Sequence, residues 1–131
     1  MKLKLINYNK SICKKGKHRV IIDDIVCTNP SNEDATPRLT ILFGNELGVL
    51  SVIVDTVREI DILSQIYKSC NLSIPNDYII ETEDLKYRLS YLILEKDIVD
   101  NNFTNKDLRF ELFPILDNNK SDLNDPFDLP F

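Results

Sequence analysis

The chain has 131 residues, 43% of them hydrophobic and 28% charged, with a formal net charge of -5, a length that suits one domain around a single core. No run approaches the ~18 uninterrupted apolar residues that cross a bilayer, and Met1-Lys2-Leu3-Lys4-Leu5-Ile6-Asn7 is too short and too interrupted for a signal-peptide core, so no membrane partner and a cytoplasmic location are expected. Cys13, Cys27 and Cys70 contain no Cys-x-x-Cys and have only His18 as an imidazole neighbour in composition, which points to reduced thiols, no zinc site and no cofactor.

Residues 1–8 alternate Leu3 and Leu5 with Lys2 and Lys4, a weak strand signal. Lys14-Lys15-Gly16-Lys17-His18-Arg19 reads as a basic turn. Val20 to Cys27 is rich in β-branched residues and gives the first secure strand; Thr28 to Arg38 is polar, with Pro30 and Pro37, and reads as a loop. Leu39 to Phe43 and Val49 to Val54, joined by Gly44-Asn45-Glu46-Leu47-Gly48, form a hairpin. Thr56 stands three residues before Glu59, the capping-box spacing, and Ile60, Leu63, Ile66, Tyr67 and Cys70 recur at helical steps until Asn71 and Pro75. Leu85 to Lys96 alternates Leu85, Tyr87, Leu89, Tyr91 and Ile93 with Lys86, Arg88, Ser90, Leu92 and Leu94, a strand of period two, and Leu108 to Phe113 is the last strand. From Asp117 the chain is too polar to order itself.

The expected architecture is therefore mostly β, within the α+β class: five strands with one helix between the third and fourth, in residues 1–116, followed by a disordered acidic tail, 117–131. That element order is the order of an OB-fold, a small partly open barrel, although other small α+β arrangements share it.

Charge is unevenly spread. Residues 1–22 carry seven bases and no acid, residues 117–131 carry four acids against Lys120, and residues 1–116 hold 15 bases and 17 acids. The body is near neutral with a basic end, so the net charge of the whole chain does not exclude a polyanionic partner. No catalytic constellation is visible. The three glycines cannot build a phosphate-cradling loop, Lys14-Lys15-Gly16-Lys17 lacks the Ser or Thr that closes a P-loop, and His18 has no carboxylate nearby in sequence to orient it.

Binding a single strand requires cations for phosphates and aromatic faces for bases. The cations that qualify are Lys14, Lys15, Lys17 and Arg19 in the basic run, Arg38 at the end of the loop before the second strand, Lys86 and Arg88 on the fourth, and Arg109 on the fifth. The basic run is alternatively a solvated turn. Tyr87 and Tyr91 alternate with these cations; because one face of a period-two strand must meet the core, Tyr87, Tyr91 and Phe110 are either base platforms or barrel filling. Phe43, at the lip of the hairpin, and Phe103, in the loop before the last strand, are the aromatics expected to be most easily exposed.

The last seven residues are Asp125-Pro126-Phe127-Asp128-Leu129-Pro130-Phe131. Apolar groups at a chain end are a cost to solubility without structural return, and the prolines favour an extended form that docks elsewhere. The close Asp128-Leu129-Pro130-Phe131 resembles the acidic tip of bacterial single-stranded DNA-binding proteins, which ends in Asp residues, Ile or Leu, Pro and Phe. The chain differs from the chromosomal members in its short linker and its lack of Trp, and is similar to what bacteriophages and mobile elements encode. The resemblance implies an OB-fold body that coats single-stranded DNA in replication or recombination, a tip that recruits replication and recombination proteins, no catalysis, and the option of homo-oligomers. Two other readings fit the same residues: an adaptor that docks on tail-binding replication proteins without useful DNA affinity, and a subunit of an enzyme whose active residues lie on another chain.

Overall fold

A computed structural model describes residues 6–28, 36–77 and 79–113. It contains β1 (Gly16–Thr28), β2 (Arg38–Asn45), β3 (Gly48–Asp55), α1 (Ile60–Ser69), β4 (Leu89–Leu94) and β5 (Leu108–Glu111). The strands form one antiparallel sheet in the order β3-β2-β1-β4-β5. No helix among the described residues is long and apolar enough to cross a membrane. The proposed tail, including Asp125 to Phe131, lies outside the described residues.

The sheet curls because β1 serves two neighbours in succession. Gly16 to Ile21 pair with β4, Ile21 to Thr28 pair with β2, and the register slips between Ile22 and Asp24, leaving Asp23 as the extra residue of a bulge. A bulge bends its strand and increases the local twist, which turns a flat sheet into a half-barrel. Alternate residues then converge on one core: Val20 and Ile22 from β1, Leu39, Ile41 and Phe43 from β2, Leu50, Val52 and Val54 from β3, Leu92 and Leu94 from β4, Leu108 and Phe110 from β5. The opening is filled by α1, which packs against β5, β4 and β3 and turns Leu63, Ile66, Tyr67 and Cys70 inward. Ser90 and Ser69 meet inside this contact at 2.8 Å, and Ser69 has Ile66 O in hydrogen-bonding range at 2.7 Å, whereas the buried Tyr67 hydroxyl on the same helix has no partner among the described residues.

Four readings of the sequence are corrected here. First, β1 begins at Gly16, so Lys17, His18 and Arg19 belong to the strand rather than to a basic turn. Second, the fourth strand begins at Leu89, and residues 85–87 form a turn after the 3-10 turn Thr82–Asp84. Third, the core face of β4 carries Ser90, Leu92 and Leu94, the set that the alternation also paired with Lys86 and Arg88. Fourth, Thr56 does not cap the helix: its hydroxyl donates to Pro37 O. No side chain caps α1, whose N-cap is Glu59; Asp55 instead fixes the turn before it, accepting the N–H groups of Val57 and Arg58 at 3.0 and 2.8 Å, while Glu59 Oε1 accepts the Asp55 N–H.

The hydroxyl of Thr36 and the Arg58 N–H hold Asp55 down to about 2, from an ordinary 3.8. A carboxyl whose folded pKa is depressed stabilises the fold above its unfolded pKa, and that contribution disappears as pH falls through the folded one. Asp55→Asn is therefore expected to melt below the parent at pH 7, with the gap closing between about pH 4 and pH 2. Thermal melts of both proteins at several pH values check this; a gap independent of pH would show that the charge is not the cause.

The β2–β3 hairpin turns on Glu46 and Leu47, with Asn45 Oδ1 accepting the N–H groups of Leu47 and Gly48. Gly48 lies at φ 154°, and a Cβ there would sit 2.7 Å from Lys10 O. Its hydrogen side chain lets the N-terminal segment pass close enough for Val49 N–H to reach Lys10 O and Ile12 N–H to reach Val49 O. That crossing places Tyr8 on the sheet surface.

Candidate nucleic-acid interface

Strand register brings part of the cationic inventory onto one surface. Lys17 stands opposite Ile93 and Arg19 opposite Tyr91; across the next pair, Tyr91 faces Glu111 and Ile93 faces Arg109. Directly opposed residues share a sheet face. Lys17, Arg19, Tyr91 and Arg109 therefore lie together on the outer surface, back to back with Val20, Leu92 and Phe110. The Lys17 ammonium lies 4.8 Å from the centre of the half-buried Tyr91 ring, whose other contact is Phe113 at 5.2 Å.

Further along β1 the outer surface reaches the bulge. Tyr87 N–H donates to Ile22 O at 2.7 Å and Ile22 N–H to Arg88 O at 2.9 Å, so the residues before β4 continue alongside β1. Tyr87 has a φ of 67°, a left-handed conformation that is uncommon for a bulky side chain. This breaks the period-two pattern: Tyr87 and Tyr91 do not share a strand face, and the Tyr87 ring is 64% exposed. Lys86 lies over that ring, 5.3 Å from its centre, and 4.0 Å from Asp24. Arg88 Nε donates to Asp84 O.

Tyr8 is the residue that sequence reasoning misses. It is 59% exposed, and its hydroxyl donates to Asp23 Oδ2 at 2.7 Å, which pushes the phenol above its ordinary value. A lone Tyr between Asn7 and Asn9 carries no local signal, because its place depends on the Gly48 crossing. From Lys17 to Asp23 the strip runs roughly 20 Å at strand rise.

The remaining sites divide. Phe43, read as an exposed lip aromatic, is corrected: it is 0% exposed and packs on Phe110, ring centres 5.5 Å apart, because the pairing of β2 turns Leu39, Ile41 and Phe43 inward together. Phe110 is barrel filling, and Phe103 is half-buried against the core rather than presented to solvent. Lys14 and Lys15 are exposed just before β1, where Lys15 N–H donates to Asp97 and Lys14 O meets His18 Nε2. Arg38 opens β2 opposite Thr28 and Asp55, away from the strip.

Several of the cations are already paired. Lys17 meets Glu111 at 3.0 Å, Arg109 bonds Glu95 and Glu111, and Lys86 has Asp24. Glu111 is held below the ordinary carboxylate range by Lys17, and Arg109 is raised further by Glu95. Among the described residues, Lys14, Lys15, Arg38 and Arg88 have no carboxylate within salt-bridge distance.

Comparison with known proteins finds no matching family model, no matching curated sequence and no matching solved structure. The site therefore rests on its own geometry. Among the described residues no three His, Cys, Asp or Glu side chains gather as metal ligands. A cleft of about 510 Å³ between β2, α1 and residues 74–82 is lined chiefly by apolar groups, including Leu39, Val57, Ile60 and Ile74, with Cys27 as its one thiol. It lies off the strip.

Proposed function

We propose that this chain is a non-enzymatic single-stranded DNA-binding protein, whose body is an OB-type barrel and whose C-terminal tip recruits partner proteins of replication or recombination. The observation that carries the reading is the outer strip along β1, where Lys17, Arg19, Tyr91, Lys86 and Tyr87 from three segments come onto one surface. Cations beside exposed rings suit a strand whose phosphates and bases are both accessible, and stacking on rings is tolerant of sequence. The order β3-β2-β1-β4-β5, with a helix between β3 and β4, fits an OB barrel left open between its third and fifth strands. The sequence Asp125 to Phe131 supports the recruiting role, with Phe131 in a partner's apolar pocket and the Asp125 and Asp128 carboxylates on a partner's cations.

A second reading, an adaptor without useful DNA affinity, draws support from the ion pairs that already neutralise Lys17, Lys86 and Arg109. Titration of a labelled, unstructured oligonucleotide at two salt concentrations separates the two. The DNA-binding reading expects affinity that falls with salt, and micromolar protein that leaves the oligonucleotide free at low salt would leave the adaptor standing. Deleting residues 125–131 is expected to preserve DNA binding and abolish capture of tail-binding replication proteins.

A further inference from the structure

Two carboxylates interrupt the cationic strip where β1 bulges. Asp23 is the residue left out of strand pairing, and Asp24 follows it. A carboxylate repels a phosphate, so a DNA strand lying along β1 must present something other than its backbone at this point. The surroundings are aromatic. The Tyr8 hydroxyl rests on Asp23 Oδ2, and Tyr87 is bonded through its backbone to Ile22, the neighbour of Asp23. The two exposed rings come from the N-terminal segment and from the turn before β4, and each is tied to β1 at this bulge, Tyr8 to Asp23 and Tyr87 to Ile22. Among the described residues nothing donates a hydrogen bond to Asp23 Oδ1.

We propose that the β1 bulge is a base-reading position, at which Tyr8 and Tyr87 supply the stacking faces and Asp23 accepts a hydrogen bond from a base's exocyclic amino group. The inference rests on the single-strand reading and adds a preference to it. Cytosine offers N4–H₂ in the position where uracil and thymine carry the O4 carbonyl, an acceptor that a carboxylate repels; adenine offers N6–H₂, and guanine N1–H with N2–H₂. Binding elsewhere on the strip remains indifferent to sequence, so one position favours amino-bearing bases.

The experiment compares labelled dC and dU 15-mers at pH 7.5, which share a ring and differ at the 4-position without the thymine methyl group. The parent protein is expected to prefer dC by roughly tenfold or more, as for one hydrogen bond to a charged acceptor. Asp23→Asn, which keeps the shape and can donate to O4, should bring the ratio to about one and tighten dU binding, since it also removes a charge that repels phosphate. Tyr87→Asn removes the ring while keeping a residue type that tolerates the left-handed backbone, and should weaken both oligonucleotides. Equal binding of dC and dU by the parent, or an unchanged preference in Asp23→Asn, overturns the base-reading position and leaves general single-strand binding intact. Failure of the parent to bind either oligonucleotide overturns both.

Discussion

Phe43→Ala is expected to cost the fold about 3–5 kcal/mol, as for deletion of a fully buried aromatic, and to lower the melting temperature by roughly 10–20 °C. The residue has no exposed surface, closes the end of the β2 core row and packs on Phe110. Collapse around the vacancy is limited because its neighbours belong to paired strands. For a domain whose whole stability is of order 5–15 kcal/mol, this is a large fraction. Phe43→Leu keeps most of the volume and should retain fold and binding alike. Thermal or urea melts decide the matter: an unchanged midpoint with weakened DNA binding would mean that Phe43 faces the strand and that the core assignment of β2 is wrong.

The second large effect concerns charge. Lys14 and Lys15 are the strip-end cations with no carboxylate partner among the described residues, so they can meet phosphates without first breaking an ion pair. Each phosphate contact on a single strand changes the slope of log affinity against log salt by about 0.7. Replacing both by Ala should flatten that slope by about 1.4 and weaken binding at 50 mM salt by roughly 50-fold. Exposed substitutions of this kind usually alter stability within about 0.5 kcal/mol, so a melt distinguishes lost contacts from lost fold. An unchanged slope would place the DNA elsewhere on the surface.

Much of the architecture is legible in the sequence because period and turn chemistry are strong where burial is one-sided. The β2–β3 hairpin and the α1 stripe of Leu63, Ile66, Tyr67 and Cys70 follow directly from spacing. What escapes are features set by distant pairings. Leu42 and Phe43 are adjacent and both apolar, so only the register with β1 and β3 decides which one points inward. Lys17 to Arg19 read as a turn because their side chains are polar: Lys17 and Arg19 lie on the outer face, and His18, opposite Leu92, stands where the apolar face, which begins at Val20, has not yet started. Period two is continuous through Tyr87 on paper, but the left-handed backbone there ends it. The ion pair of Lys17 with Glu111 and the bond of Tyr8 with Asp23 join residues with no sequence relation. The surface strip was therefore visible as a list of cations and aromatics, while its membership, its acidic interruptions and Tyr8 required the fold.

If the β1 strip engages the phosphates of a single strand, its binding falls with salt. Fluorescence anisotropy of a labelled, unstructured 15-mer, titrated with the full chain at 50 and 200 mM salt, measures this directly. With about four phosphates neutralised, affinity should fall ~50-fold across that interval. Binding that does not change with salt, or no binding at micromolar protein at 50 mM salt, would contradict it.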